Sequence, residues 1–309
     1  VPHHLDDLTS ALAAERERLL PDTSGTIHDQ RLDDGGERCF ALATTTVDGR
    51  LSHTQDADVG FPIQSVVKPW IYGVALLDHG DGVHDLVGVE PTGEPFDAVV
   101  LEEGTGRPPN PMVNAGALLT SSLVAGRGVD ERVARVLEVC SGAAGRALSV
   151  DEGVVATELE QGDRNRALGF LMRAGGTMSC SVEDALEVLA RCCAITVTAA
   201  DLATMAGTLA TWGVRPGSSE RVLPQSVVTD VLSVMATCGM YDGSGRWVHR
   251  AGLPAKSGVS GGVMAVAPGI LGLGSYSPPL DDHGNSVRGL RAGEQLSVSW
   301  GLHPFGPPR

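Results

Sequence analysis

The spacing of apolar residues changes character several times along this chain. Leu8, Leu12, Ala13 and Leu19 recur between charged residues, so Leu5 to Leu20 is predicted to be an amphipathic helix, stopped by Pro21. Cys39 to Thr46 and Leu51 to His53 favour extended chain on either side of the turn dipeptide Asp48-Gly49, which predicts a β-hairpin. Ser65 to Asp78 contains an unbroken apolar run from Trp70 to Leu77 and predicts a buried helix with Ser65 in its first turn. Between Gly82 and Leu101 no period persists, and Gly, Pro and Asp abound, so a loop with short extended pieces is expected.

Helical spacing returns over Leu118 to Val124, Arg132 to Ser149, Ser181 to Cys193, Ala199 to Trp212, and Gln225 to Thr237, with Asp151-Glu152 opening a new segment after the second of these. Ser181 with Asp184 three residues on has the form of a capping box. Beyond Cys238 to Gly245 the chain is expected to turn extended. Val263 to Val266 and Ile270 to Tyr276, around Pro268-Gly269, read as a second hairpin, with Ala292 to Trp300 as a closing helix. Strands at both ends with helices between imply the α/β class in its α+β form: a mixed antiparallel sheet built from both termini, with an inserted helical subdomain. One domain is expected over residues 1–309, with a sheet subdomain (1–62 and 239–309) and a helical subdomain (63–238).

Composition narrows the function. The 309 residues are 42% hydrophobic and 20% charged, ordinary for a globular chain with a large core. A net charge of -15 repels phosphate backbones and anionic lipid, so neither nucleic acid nor a membrane is an expected partner, and a small molecule is. Cys39, Cys140, Cys180, Cys192, Cys193 and Cys238 form no C-x-x-C pair and read as reduced thiols of a cytoplasmic protein. The first residues lack the basic and apolar regions of a signal peptide, and the longest apolar stretch, Gly261 to Gly274, is interrupted by Pro268-Gly269. The nine histidines do not cluster at metal-ligand spacings and no glycine-rich loop has a phosphate-cradling pattern, so no metal and no cofactor are expected.

Candidate chemistry centres on Ser65 and Lys68. Three residues apart on one helix, they share a face, which brings the Lys68 amine within reach of the Ser65 hydroxyl. A serine needs a neighbouring base to become a nucleophile, and a lysine kept neutral by burial can be that base. Far downstream, Lys256-Ser257-Gly258 precedes a glycine-rich, strand-like run; Ser-x-x-Lys with a Lys-Thr-Gly element is the pairing of penicillin-recognising enzymes. Asn114, at a helix start crowded with small residues, reads either as a cap or as a pocket amide. The polar cluster Glu158 to Arg166 reads either as a solvated face or as part of a site.

Seven blocks carry a resemblance. They are Ile63 to Pro69, Val87 to Pro91, Gly106 to Gly116, Gly162 to Asn165, Cys238 to Tyr241, Leu253 to Val259, and Ser277 to Asp281 with Gly284 to Val287. In this order the chain resembles the serine-dependent glutaminases, which are similar in fold to serine beta-lactamases and penicillin-binding transpeptidases; the likeness runs from about Val47 to Leu302. The resemblance implies that Ser65 attacks the side-chain amide of glutamine, forms an acyl-enzyme, and yields glutamate and ammonia. It also implies Lys68 as base, Tyr241 as proton relay, Lys256 as support for Tyr241 and Ser65, and the backbone N–H groups of Ser65 and Val259 as oxyanion hole. The implied substrate contacts are Gln64, Asn114, Glu158, Asn165, Tyr241 and Val259, with Glu158 on the α-amino group and the two asparagines at the carboxylate. A homodimer or homotetramer is implied as well.

Two positions depart from the family. Gln30 and Leu189 stand where it has tyrosines that touch substrate, and only Tyr72, Tyr241 and Tyr276 exist in this chain. Each hydrogen bond lost to a charged group costs about 1.5 to 3 kcal/mol, so both losses together could lower activity on free glutamine by about a hundredfold. Three readings follow from this: hydrolysis of glutamine or a close derivative, transfer or cyclisation of the same acyl group in specialised metabolism, and a non-catalytic binding relative.

Overall fold

A computed structural model describes residues 7–27, 38–94 and 98–306. Helix α1 (Leu8–Leu19) is capped by the Asp7 side chain, which accepts from the Ser10 N–H. Strands β1 (Ala41–Thr46) and β2 (Leu51–His53) form the expected hairpin, and β3 (Phe61–Pro62) follows. A 3-10 turn over Gln64–Val67 then leads into α2 (Lys68–His79). The predicted helix therefore starts as a 3-10 turn holding Ser65, and Lys68 is its first α-helical residue.

The helical region continues with α3 (Val83–Leu86), α4 (Asn114–Leu123), α5 (Val129–Ala144), β4 (Ser149–Val150), α6 (Glu152–Glu160), α7 (Asp163–Ala174), α8 (Val182–Cys193), β5 (Ile195–Val197), α9 (Ala199–Ala210) and α10 (Gln225–Cys238). Short α3 interrupts what the sequence presents as loop. The helix expected to reach Ser149 ends at Ala144, because Gly145 turns left-handed (φ 75°) and its N–H closes on the Ser141 carbonyl. Ser149 instead pairs with Thr196, and β3, β5 and β4 make a small antiparallel sheet that the sequence did not announce. Ser181 caps α8 as expected, while the reciprocal capping box belongs to Thr198 and Asp201 at α9.

The C-terminal part holds a further difference. Extended chain is delayed: a 3-10 turn at Tyr241–Gly243 and α11 (Ser244–Arg250) come before β6 (Ala255–Ser257), β7 (Gly262–Ala267) and β8 (Leu271–Tyr276). Helix α11 has little periodicity of its own; it is anchored by Trp247, whose indole N–H donates to the Leu253 carbonyl at 2.7 Å. Helix α12 (Val287–Trp300) closes the chain, starting five residues earlier than its spacing predicts because Ser286 caps it.

The main sheet has the order β2-β1-β8-β7-β6, antiparallel throughout, so both ends of the chain build it. Its central strands are buried on both faces. Phe40, Leu42, Val263, Ala265 and Leu273 pack under α1, α11 and α12, while Ala41, Ala43, Met264 and Val266 join the core shared with the helical region. Helix α9 lies on that second face at backbone distance from β8. A Cβ on Gly272 would fall 2.1 Å from the Gly207 nitrogen, and one on Gly274 2.2 Å from the Ala199 carbonyl. All six cysteines are free, and among the described residues no helix is long and apolar enough to cross a membrane.

Candidate active site

The seam between the helical region and β6 holds a cavity of about 130 Å3. Ser65, Lys68, Asn114, Glu158, Asn165 and Val259 are among the residues that line it. Pairing of β3 with β5, and the Ile63 N–H donated to the Ile195 carbonyl at 2.8 Å, fix the turn that presents Ser65. Gln64, just ahead of it, sits in the left-handed region (φ 50°), a backbone state that non-glycine residues adopt rarely and that recurs at functional sites. Its side-chain amide donates to Glu158 Oε1 at 2.9 Å.

Lys68 is 2% exposed, and its Nζ donates to Asn114 Oδ1 at 2.7 Å and to the Met112 carbonyl at 3.2 Å. Asn114 is thus a pocket amide: the cap position belongs to Val113, and no side chain caps α4. The loop before it is tightly wound, with Asn110 Oδ1 accepting from the Met112 and Val113 N–H groups. A Cβ on Gly116 would lie 1.9 Å from the Asn110 carbonyl oxygen, so only glycine fits there. Burial pulls the Lys68 amine down to about 8, with Cys193 and Glu158 pulling the other way.

Ser65 and Lys68 line the same cavity, and Ser65 lies close enough to Tyr241 to draw its phenol down. The two acceptors at the start of α4 hold the Lys68 amine, and Tyr241 comes from a distant part of the chain. Tyr241 adopts φ 56°, and its hydroxyl also donates to the Ser257 carbonyl at 3.2 Å. Burial raises the phenol to about 12, partly offset by the nearby Ser65 and Ser257, so it stays protonated near neutral pH. Lys256, fully buried, donates to the same Ser257 carbonyl at 2.6 Å and lies 4.0 Å from the Tyr241 ring centre. Burial, with repulsion from Lys68 behind it, holds the Lys256 amine well below its usual value. The tyrosine turn can rest on β6 because Gly239 has no side chain: a Cβ there would meet the Ala255 carbonyl at 1.7 Å.

Of the predicted residues, Gln64, Ser65, Lys68, Asn114, Glu158, Asn165 and Val259 line one cavity; Tyr241 and Lys256 are not in its lining and meet each other at the Ser257 carbonyl. Asn165 Oδ1 is buried without a hydrogen-bond partner among the described residues. Leu189 lies in the cavity wall, and Gln30 lies outside the described residues. Sequence reasoning missed the rest of that wall: Leu186, Ala190 and Cys193 share the α8 face with Leu189. Their helical spacing was visible, but it is the spacing of any core-facing stripe. Among the described residues no three His, Cys, Asp or Glu side chains meet as a metal site.

Comparison with known proteins follows the same lines. The sequence model of the glutaminase family matches residues 30–305. A glutaminase of Clavibacter michiganensis subsp. michiganensis is 49% identical over 307 residues, covering 99% of this chain and 93% of its own. The solved structure of Mglu in its glutamate form superposes with a TM-score of 0.92 at 40% identity, over 98% of this chain and 71% of that one. A probable glutaminase, ybaS, gives a TM-score of 0.92 at 34% identity, over 98% and 99%. A buried serine, two buried amines and a tyrosine around one cavity thus occur in a chain that belongs to the glutaminase family.

Proposed function

We propose that this protein hydrolyses the side-chain amide of L-glutamine to glutamate and ammonia, with Ser65 as the attacking group. The observation that carries the proposal is one cavity of about 130 Å3 lined together by Ser65, the buried Lys68, Glu158 and Asn165. Lys68 in its neutral form receives the Ser65 proton as the hydroxyl oxygen attacks the amide carbon. The backbone N–H groups of Ser65 and Val259 take the developing oxyanion; one such donor is worth about a hundredfold to a thousandfold in kcat. Tyr241, still protonated, supplies the proton that the departing ammonia needs. Water then attacks the acyl-serine by the reverse sequence of proton transfers.

At the other end of the substrate, Glu158 accepts from the α-ammonium group. Asn114 has its oxygen committed to Lys68, so its NH2 group donates to the α-carboxylate, with Asn165 beside it. Leu189 offers that end no hydroxyl. The solved glutamate form of Mglu supports the product assignment. We further read the protein as a cytoplasmic homodimer or homotetramer, on the resemblance described above. Neither acyl transfer to an amine nor a purely binding role has a feature in its favour.

The test is direct. Purified protein incubated with glutamine should release ammonia and glutamate in equal amounts, and Ser65→Ala should abolish both. Turnover that survives Ser65→Ala would end the proposal.

A further inference from the structure

The loop from Asp281 to Ser286 lies outside the cavity, yet it grips both elements that deliver Tyr241. Ser257 is the hub. Its carbonyl oxygen has two lone pairs, and both are used, one by the Tyr241 hydroxyl at 3.2 Å and one by the Lys256 amine at 2.6 Å. The aim of that one carbonyl therefore sets where both groups point. Two contacts hold it. On one side the Gly258 N–H, in the same peptide unit, donates to the Gly262 carbonyl at 2.9 Å. On the other, the Ser257 hydroxyl donates to Asn285 Oδ1 at 2.5 Å, with Ser257 and Asn285 both buried. β6 is an edge strand, so no further strand steadies Ser257 on its outer side.

Asn285 also reaches the tyrosine turn itself. Its amide nitrogen packs on Gly243, where a Cβ would come within 3.5 Å of it. Two residues earlier, His283 Nδ1 lies 2.7 Å from Oδ2 of Asp242, the neighbour of Tyr241. The loop is braced internally: the Asn285 N–H donates to Asp281 Oδ1 at 3.0 Å, and the Asp281 N–H to the Asn285 carbonyl at 2.8 Å. It is anchored by Ser286 Oγ on the Ser277 carbonyl at 2.7 Å. A left-handed, non-glycine Tyr241 persists only where its surroundings over-determine it, and this loop is a large part of those surroundings.

We propose that Asn285 is a positioning residue for amide hydrolysis: by holding the Ser257 hydroxyl and the Tyr241 turn, it aims the Ser257 carbonyl at the Tyr241 hydroxyl and the Lys256 amine. This rests on the glutaminase reading given above. Asn285 touches neither substrate nor reacting atoms, so its loss disturbs proton transfer and leaves the substrate's amino-acid contacts in place. A small misplacement of a proton-transfer group lowers turnover steeply, so Asn285→Ala is expected to lower kcat about tenfold or more, with KM within about twofold.

The test pairs kinetics with NMR of isotope-labelled tyrosine, feasible because the chain has only 3 tyrosines. Tyr241→Phe assigns the Tyr241 signal. Asn285→Ala should shift that signal, leave those of Tyr72 and Tyr276 in place, and lower kcat. Ser257→Ala removes the other half of the same bond and should do likewise; the double variant should fall no further than either single one. If Asn285→Ala does not fold, Ser257→Ala decides alone. Wild-type kcat in the folded variant, an unmoved Tyr241 signal, or equal movement of all three signals would each overturn the proposal. Should the wild-type protein release no ammonia from glutamine, the functional reading fails instead, and the Tyr241 signal still reports whether Asn285 holds it.

Discussion

Changing the pH reads the state of Lys68 directly. Burial lowers this amine from 10.5 to about 8, and the proposed chemistry uses its neutral form. The neutral fraction is then about 1% at pH 6, about 9% at pH 7 and about 50% at pH 8. At limiting glutamine, kcat/KM is expected to rise about tenfold from pH 6 to 7, about fivefold from 7 to 8, and to level off above 9. The same displacement bears on stability. A lysine whose pKa is lower folded than unfolded binds fewer protons in the native state, so stability rises with pH between about 8 and about 10.4. Below that window the buried ammonium is a full burden, about 3 kcal/mol near neutral pH for a shift of this size. Lys68→Met should therefore abolish ammonia release while raising the melting temperature at pH 7 by several degrees, and the gain should shrink toward pH 10. Ammonia release at stepped pH and differential scanning calorimetry on both proteins give the two answers. A kcat/KM flat from pH 6 to 10, or a Lys68→Met protein that melts lower than wild type at pH 7, would refute the assignment of Lys68 as a buried amine neutralised for catalysis.

Two further outcomes follow from the packing. Gly116→Ala drives a Cβ into the Asn110 carbonyl and should destabilise the protein by about 3 kcal/mol, lowering the melting temperature and, by moving Met112 and Asn114, lowering kcat as well. Leu189→Tyr puts a hydroxyl into the cavity wall; one regained hydrogen bond to a charged substrate group should raise kcat/KM for free glutamine by about tenfold, and a fall would show that the wall has no room for it.

Much of the site was legible as sequence because its blocks are local. Ile63 to Pro69 holds the proposed nucleophile and base within one turn, and Asn110 to Gly116 holds the carbonyl and amide that receive the Lys68 amine. Asn114 and Glu158 each read two ways until the cavity was assembled, since a cap, a solvated face and a pocket residue use the same residue types. The apolar wall on α8 was illegible for a related reason: Leu186, Leu189 and Ala190 recur as any buried stripe would, and only the cavity beside them shows what they face.

By itself the sequence determined most of the long helices and the two hairpins, because 3.6-residue and two-residue periods, capping serines and Asp-Gly or Pro-Gly turns act between near neighbours, but it gave no sign of α7, whose opening is dominated by charges. Tertiary structure alone decided the short pieces. Strands of two and three residues at β3, β4 and β5 gain too little by themselves and form only in one another's company. Helix α11 depends on the burial of Trp247, and the α9 contact with β8 on glycines that clear space for a backbone. It decided the partners of the reactive groups as well. Tyr241 on Ser257, Lys68 on Asn114 and Asn285 on Ser257 join residues 16, 46 and 28 positions apart, distances at which no local preference acts and packing chooses the neighbour.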